Sequence, residues 1–189
     1  MTSRQWSIAI AVAYISVSAP LLVARQASPF RVHPAPQWAC EEEMHEYYIR
    51  RFESADGFGL ARMPQPPMLD RAGVLEMAGK TYAIERLELV GLLKADTPQV
   101  YVPLRHNLPF RAEDFRSRSL TPFEQDALSA LRAGRDIVRA SGQEPGTLEI
   151  VGALRGDGSC LKCHRDVTEG QLLGAFSYTL RVKAGEGPA

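Results

Sequence analysis

Residues 148–182 read LEIVGALRGDGSCLKCHRDVTEGQLLGAFSYTLRV, and the fold class turns on this stretch. Leu148–Leu154 is an apolar run broken once, at Glu149, which suits a largely buried strand. Ala175–Val182 alternates: Phe176, Tyr178, Leu180 and Val182 fall on one side, Ser177, Thr179 and Arg181 on the other. That is the period of a strand with one face in a core. Between the two lies a loop opening on Gly156-Asp157-Gly158.

Upstream, the pattern stays mixed. Cys40 to about Glu53 reads as a helix, with acids in its first turn, Arg50 and Arg51 in its last, and an apolar stripe of Met44, Tyr47, Tyr48 and Phe52. Asp56 to Asp70 is loop-like, because Gly57, Gly59, Pro64, Pro66 and Pro67 interrupt any regular element. Val74–Met77 and Lys80–Leu87 flank Ala78-Gly79 as a hairpin, and Leu87–Leu93 and Val100–Leu104 read as further strands. Thr121, Pro122 and Glu124 form a capping box with proline at the first helical position. Phe123, Ala127, Leu128 and Leu131 are that helix's buried face, and Gly134 its stop unless the pattern runs on to Gly142. Clustered strands with helices before and between them predict an α+β domain with an antiparallel sheet.

Inside the 156–174 loop is Cys160-Leu161-Lys162-Cys163-His164. Cys-x-x-Cys-His is the attachment pattern of c-type haem. Two thiols three residues apart on one turn reach the two vinyl groups of a porphyrin, and the next histidine lies beneath the iron. Three other readings fit less well. A thioredoxin-like pair would follow a buried strand at the start of a helix in an α/β sheet. Zinc would need a further ligand at a typical spacing, and a disulfide across two residues is strained. The pattern therefore predicts one covalent haem c held by Cys160 and Cys163, with His164 as the proximal iron ligand.

Outside this core the chain is asymmetric. Lys+Arg and Asp+Glu are equal at 22 each, yet residues 1–40 hold Arg4, Arg25 and Arg31 and no acid, so the rest carries 19 bases against 22 acids. No basic field is available for nucleic acid. Trp6 to Ala24 is a run of nineteen uncharged residues; as a helix it spans about 28 Å, close to the thickness of a bilayer's hydrocarbon core. Pro20 directly after the best small-residue site, Val17-Ser18-Ala19, favours a retained anchor over a cleaved signal peptide. Residues 25–39, with Pro29, Pro34 and Pro36, read as an extended tether. The expected organisation is an anchor over 1–24, a tether over 25–39 and one domain over 40–189.

The run CLKCHRDVTEGQLLGAFSYTL resembles the end of single-haem, c-type PAS-like proteins, in which Cys-x-x-Cys-His is followed by Gly-x-Leu-x-Gly-Ala and a closing strand. Gly170, Leu172, Gly174 and Ala175 are the matching positions. The resemblance implies a PAS-like antiparallel sheet with flanking helices, and the Trp6–Ala24 run places a transmembrane helix before it. It also implies haem attachment outside the cytoplasmic membrane, hence a single-pass protein with its soluble domain on the periplasmic side. After His164 come 25 residues with no Met, His or Cys, so a sixth iron ligand has to come from upstream. His106 is the first candidate, in a loop before the capped helix. Met44, His45, Cys40, Met63, Met68, Met77 and His33 are others; Met44 reads better as core, His45 as solvated among acids, and Cys40 as a partly buried thiol. The expected function is one-electron transfer to an unidentified redox or membrane-associated partner. The alternative is a haem-based redox or gas sensor acting through a partner. No paired carboxylates or Ser/His/Asp set point to a catalytic enzyme.

Overall fold

The alternating run at the end of the chain becomes the middle of a curled, mostly antiparallel sheet. The computed structural model describes residues 36–57, 59–63, 73–92, 97–104, 114–162 and 164–183. Within these, β8 (Leu172–Val182) lies between β3 (Lys80–Gly91) and β7 (Thr147–Arg155), antiparallel to both. On the far side of β7 runs β6 (Ile137–Ser141). The other edge of β3 is shared: β2 (Val74–Met77) pairs with its first residues and β4 (Gln99–Pro103) with its last. β5 (Phe115–Arg118) extends β4, and β1 (Gln37–Trp38) pairs in parallel with β2. Two α-helices complete the described residues, α1 (Glu41–Ser54) and α2 (Pro122–Arg132). The chain is thus an α+β fold.

Strand alternation sorts the side chains into two cores. On one face Phe176, Tyr178 and Leu180 of β8 and Ile150 of β7 pack under α1 through Met44, Tyr48 and Phe52. On the other, Ala175, Val151, Ala153, Val90 and Val100 meet Ala127, Leu128 and Leu131 of α2. Thr121 Oγ1 accepts from Glu124 N at 3.2 Å and Glu124 Oε2 from Thr121 N at 2.8 Å, the capping box read from sequence. Glu124 is then held under α2 by Ser177 at 2.7 Å and by both terminal nitrogens of Arg118 at 2.8 Å. Arg118 also pairs with buried Glu88, which lies directly across from Ser177 in the sheet. The hairpin turn has φ of 51° at Ala78 and 71° at Gly79, the paired left-handed conformation that matches strand twist.

Several expectations change. The two strands expected over 80–93 are one strand, β3, within the described residues, running Lys80–Gly91 with an irregularity between Ile84 and Arg86 in its pairing to β8; the residue left over resets the alternation. α2 stops at Arg132, with Gly134 at φ 100°, and residues 137–141 form an edge strand instead of a longer helix. The tether's last residues contribute β1, whose Trp38 is buried. The 56–70 loop includes a 3-10 turn, Gly59–Arg62. Among the described residues no helix is long and apolar enough to cross a membrane; the anchor expected over 1–24 lies outside them.

Candidate functional site

The β7–β8 connection is a closed loop, its base tied by backbone bonds: Gly156 N donates to Gln171 O at 2.9 Å and Gly170 N to Gly156 O at 2.8 Å. Asp157 organises the turn that follows. Its Oδ1 accepts from Ser159 Oγ at 2.7 Å, Ser159 N at 2.9 Å and Cys160 N at 3.0 Å. These bonds, the Ser159 hydroxyl first, hold its carboxyl down at about 2. The chain then enters the 3-10 turn Cys160–Lys162, and His164 N closes on Cys160 O at 3.0 Å. Cys160 and His164 are thereby the two ends of one helical turn. Cys163, which sits between them in sequence, lies outside the described residues.

The turn faces a cavity of about 530 Å³. Cys160, His164, Ser159 and Lys162 come from the loop, Phe52 from α1, and Leu60 and Arg62 from the 3-10 turn after it. The rest of the lining is sheet: Leu154 of β7, Leu173 and Gly174 of β8, Leu89, Val90 and Gly91 of β3 with Leu92 after it, and Tyr101 of β4. Gly91 and Gly174 are cross-strand partners, and neither has room for a side chain. A Cβ on Gly91 would lie 2.5 Å from Cε2 of Tyr101, and one on Gly174 would lie 2.8 Å from the Val90 carbonyl oxygen. A glycine inside a strand marks such close approaches. Lysine and arginine are the charged groups in an otherwise largely apolar lining.

Burial raises the pKa of the Cys160 thiol. A thiol of this kind is a poor spontaneous nucleophile, unlike the depressed thiol of a disulfide oxidoreductase. His164 is the described imidazole at the cavity, so it can supply a metal ligand there. Among the described residues no three His, Cys, Asp or Glu side chains come together as a metal site. A wider hollow of about 720 Å³ lies along α2, lined by Ser117, Arg118, Gln125, Ser129 and Arg132 among others. Its Arg118 is already paired with Glu88 and Glu124.

The other candidate ligands are dispersed. His106, Met68 and His33 lie outside the described residues. Met44 and Met63 are core, 0% and 2% exposed, and Met77 packs at the edge of the same core. Cys40 precedes α1, whereas Phe52 lines the cavity from near the helix's other end; twelve helical residues separate the two by about 18 Å. His45 departs from expectation. It is buried at 7% exposure rather than solvated, because its ring turns inward over Gly152, where a Cβ would stand 2.5 Å from ring atoms. Nε2 faces the Ala153 carbonyl at 2.9 Å and Nδ1 the Tyr178 hydroxyl at 2.8 Å. A carbonyl only accepts, so Nε2 carries the proton and Nδ1 accepts from Tyr178. Both nitrogens are thereby occupied. Tyr101 was not among the sequence candidates; the glycines at 91 and 174 were the signal that something lies close over the sheet.

No protein-family model, curated protein or solved structure matches this chain.

Proposed function

We propose that this chain is a membrane-anchored, extracytoplasmic cytochrome whose PAS-like domain carries one covalent haem c and transfers single electrons. The observation that carries the reading is the meeting of Cys160 and His164 at one apolar cavity of about 530 Å³, within the range of cofactor-sized pockets. The donor set suits the group: a cysteine thiol adds across a vinyl group to give a thioether, and the neighbouring imidazole is the usual proximal ligand. Without side chains at Gly91 and Gly174 the sheet there is flat, with the Tyr101 ring laid over Gly91, a surface suited to a planar macrocycle.

Haem, when bound, supplies an iron that cycles between ferric and ferrous states. The chain's own residues do the rest. Asp157 fixes the turn so that Cys160 and His164 face the same way, with Cys163 the second attachment thiol. Phe52, Leu60, Leu89, Leu154 and Leu173 exclude water, which favours the less charged, reduced form. His106 is the sequence's candidate for the sixth ligand. The run over Trp6–Ala24 would hold the domain at the outer face of the membrane, within reach of a membrane-associated redox partner.

The test is a pyridine haemochrome spectrum of the full-length chain, expressed with a haem c maturation system, beside the Cys160→Ala, Cys163→Ala variant. A c-type spectrum that is lost in the variant supports the reading. A wild-type chain without covalent haem refutes it.

A further inference from the structure

The lining of the 530 Å³ cavity holds two cations, Arg62 and Lys162, and no acid among the described residues. Neither cation forms an ion pair with a carboxylate among those residues. Lys162 is exposed, whereas Arg62 is held in place. Its Nε donates to the Ala55 carbonyl at 3.2 Å, and its Nη2 donates to the Glu53 carbonyl. The guanidinium thereby closes the end of α1, where free carbonyls attract positive charge. It also stands 5.2 Å from the centroid of the Phe52 ring, which lines the same cavity. A guanidinium has five N–H donors, and these two bonds leave Nη1 without a partner among the described residues. Closing the helix end would be served equally by an arginine that faced water. Capping leaves unexplained why this one borders a largely apolar hollow.

We infer that Arg62 binds a carboxylate of the cavity's occupant, so that the cavity takes a flat apolar body bearing acid groups, the chemistry of a porphyrin with its propionates. The choice of a porphyrin rests on the haem reading above; the pairing of cation with acid rests on the lining itself. Arginine suits the task because its planar, weakly hydrated fork matches a carboxylate. The two carbonyls and the Phe52 ring hold that fork in one place before a ligand arrives, so less freedom is lost on binding. Lys162, exposed on a flexible stem, is the weaker partner. Binding makes an ion pair and hydrogen bonds, and no electron or covalent bond is transferred.

The probe is metal-free protoporphyrin IX, titrated by its fluorescence into the full-length chain expressed without haem maturation. Its dimethyl ester, which keeps the plate and removes both charges, is titrated in parallel. The acid should bind about tenfold tighter than the ester, the low end for a hydrogen bond to a charged group, because the cavity is open to water on one side. Arg62→Gln should weaken the acid about tenfold and leave the ester unchanged, and Lys162→Gln should weaken the acid less. Acid and ester that bind the wild type alike, or do not bind it at all, overturn the inference, and that comparison needs no variant to fold. So does an Arg62→Gln chain of wild-type urea midpoint that still prefers the acid. A haemochrome spectrum of the matured chain tests the earlier reading separately. Preference for the acid without covalent haem fails that reading and leaves this one; covalent haem without the preference does the reverse.

Discussion

At the scale of single residues, His45 shows how a polar side chain becomes part of a core. On the α1 sequence it sits between Met44 and Glu46, where it reads as solvated. The fold turns it inward because both ring nitrogens find partners, Tyr178 and Ala153, and because Gly152 leaves a slot the width of an imidazole. Gly152→Ala should therefore be costly. Its methyl would stand 2.5 Å from the His45 ring, and overpacking of this kind costs about 1–3 kcal/mol. Urea unfolding of the full chain measures it, and the Gly152→Ala, His45→Ala double variant should recover part of the loss, since it removes the ring the methyl meets.

At the scale of elements, α2 is fixed at its start by local chemistry and held down by distant chemistry. The capping box is written within four consecutive residues, Thr121 to Glu124, so it was legible. The same Glu124 that closes the box is 3% exposed and bonds Arg118 and Ser177, which arrive from β5 and β8. Burial alone would raise its pKa, but the bonds from Arg118, Thr121 and Ser177 outweigh that and lower it. Two variants separate the roles. Thr121→Ala removes one cap and should cost about 1 kcal/mol. Glu124→Ala leaves Arg118 with Glu88 as its one carboxylate partner and should cost about 3–5 kcal/mol, as when one partner of a buried pair is lost. Equal costs in thermal or urea unfolding would show that Glu124 acts only as a cap.

At the scale of the whole molecule, the buried histidine links global stability to pH. Burial lowers the His45 pKa below its ordinary 6.5. The unfolded chain thus binds a proton on this side chain where the folded chain does not, and stability rises with pH through that window. Folding free energy should fall as pH drops below about 6.5, by at most about 1.4 kcal/mol per pH unit for one proton. His45→Phe should flatten the slope, read from urea midpoints between neutral and mildly acidic pH. Asp157 acts later in the titration: its carboxyl is depressed to about 2, so its contribution is present above about 3.8 and lost as pH falls towards 2. Because that carboxyl's bonds go to Ser159 and Cys160 in the same turn, its effect is local to the loop that carries Cys160.

What the sequence determined by itself was whatever local chemistry writes within a few neighbouring residues. The alternation of β8, the α1 stripe, the cap of α2, the Ala78-Gly79 hairpin and the Cys-x-x-Cys-His spacing each depend on contacts between near neighbours or on a single repeat, and can be read without the rest of the chain. Long-range pairing was not legible. That β3 is one strand through its irregularity, that Trp38 adds a parallel strand, that His45 points inward and that Tyr101 lies over Gly91 all depend on residues dozens of positions apart in sequence. Only the tertiary structure decided these, because a side chain's direction at such sites is set by which strand lies beside it and by where a neighbour has no Cβ.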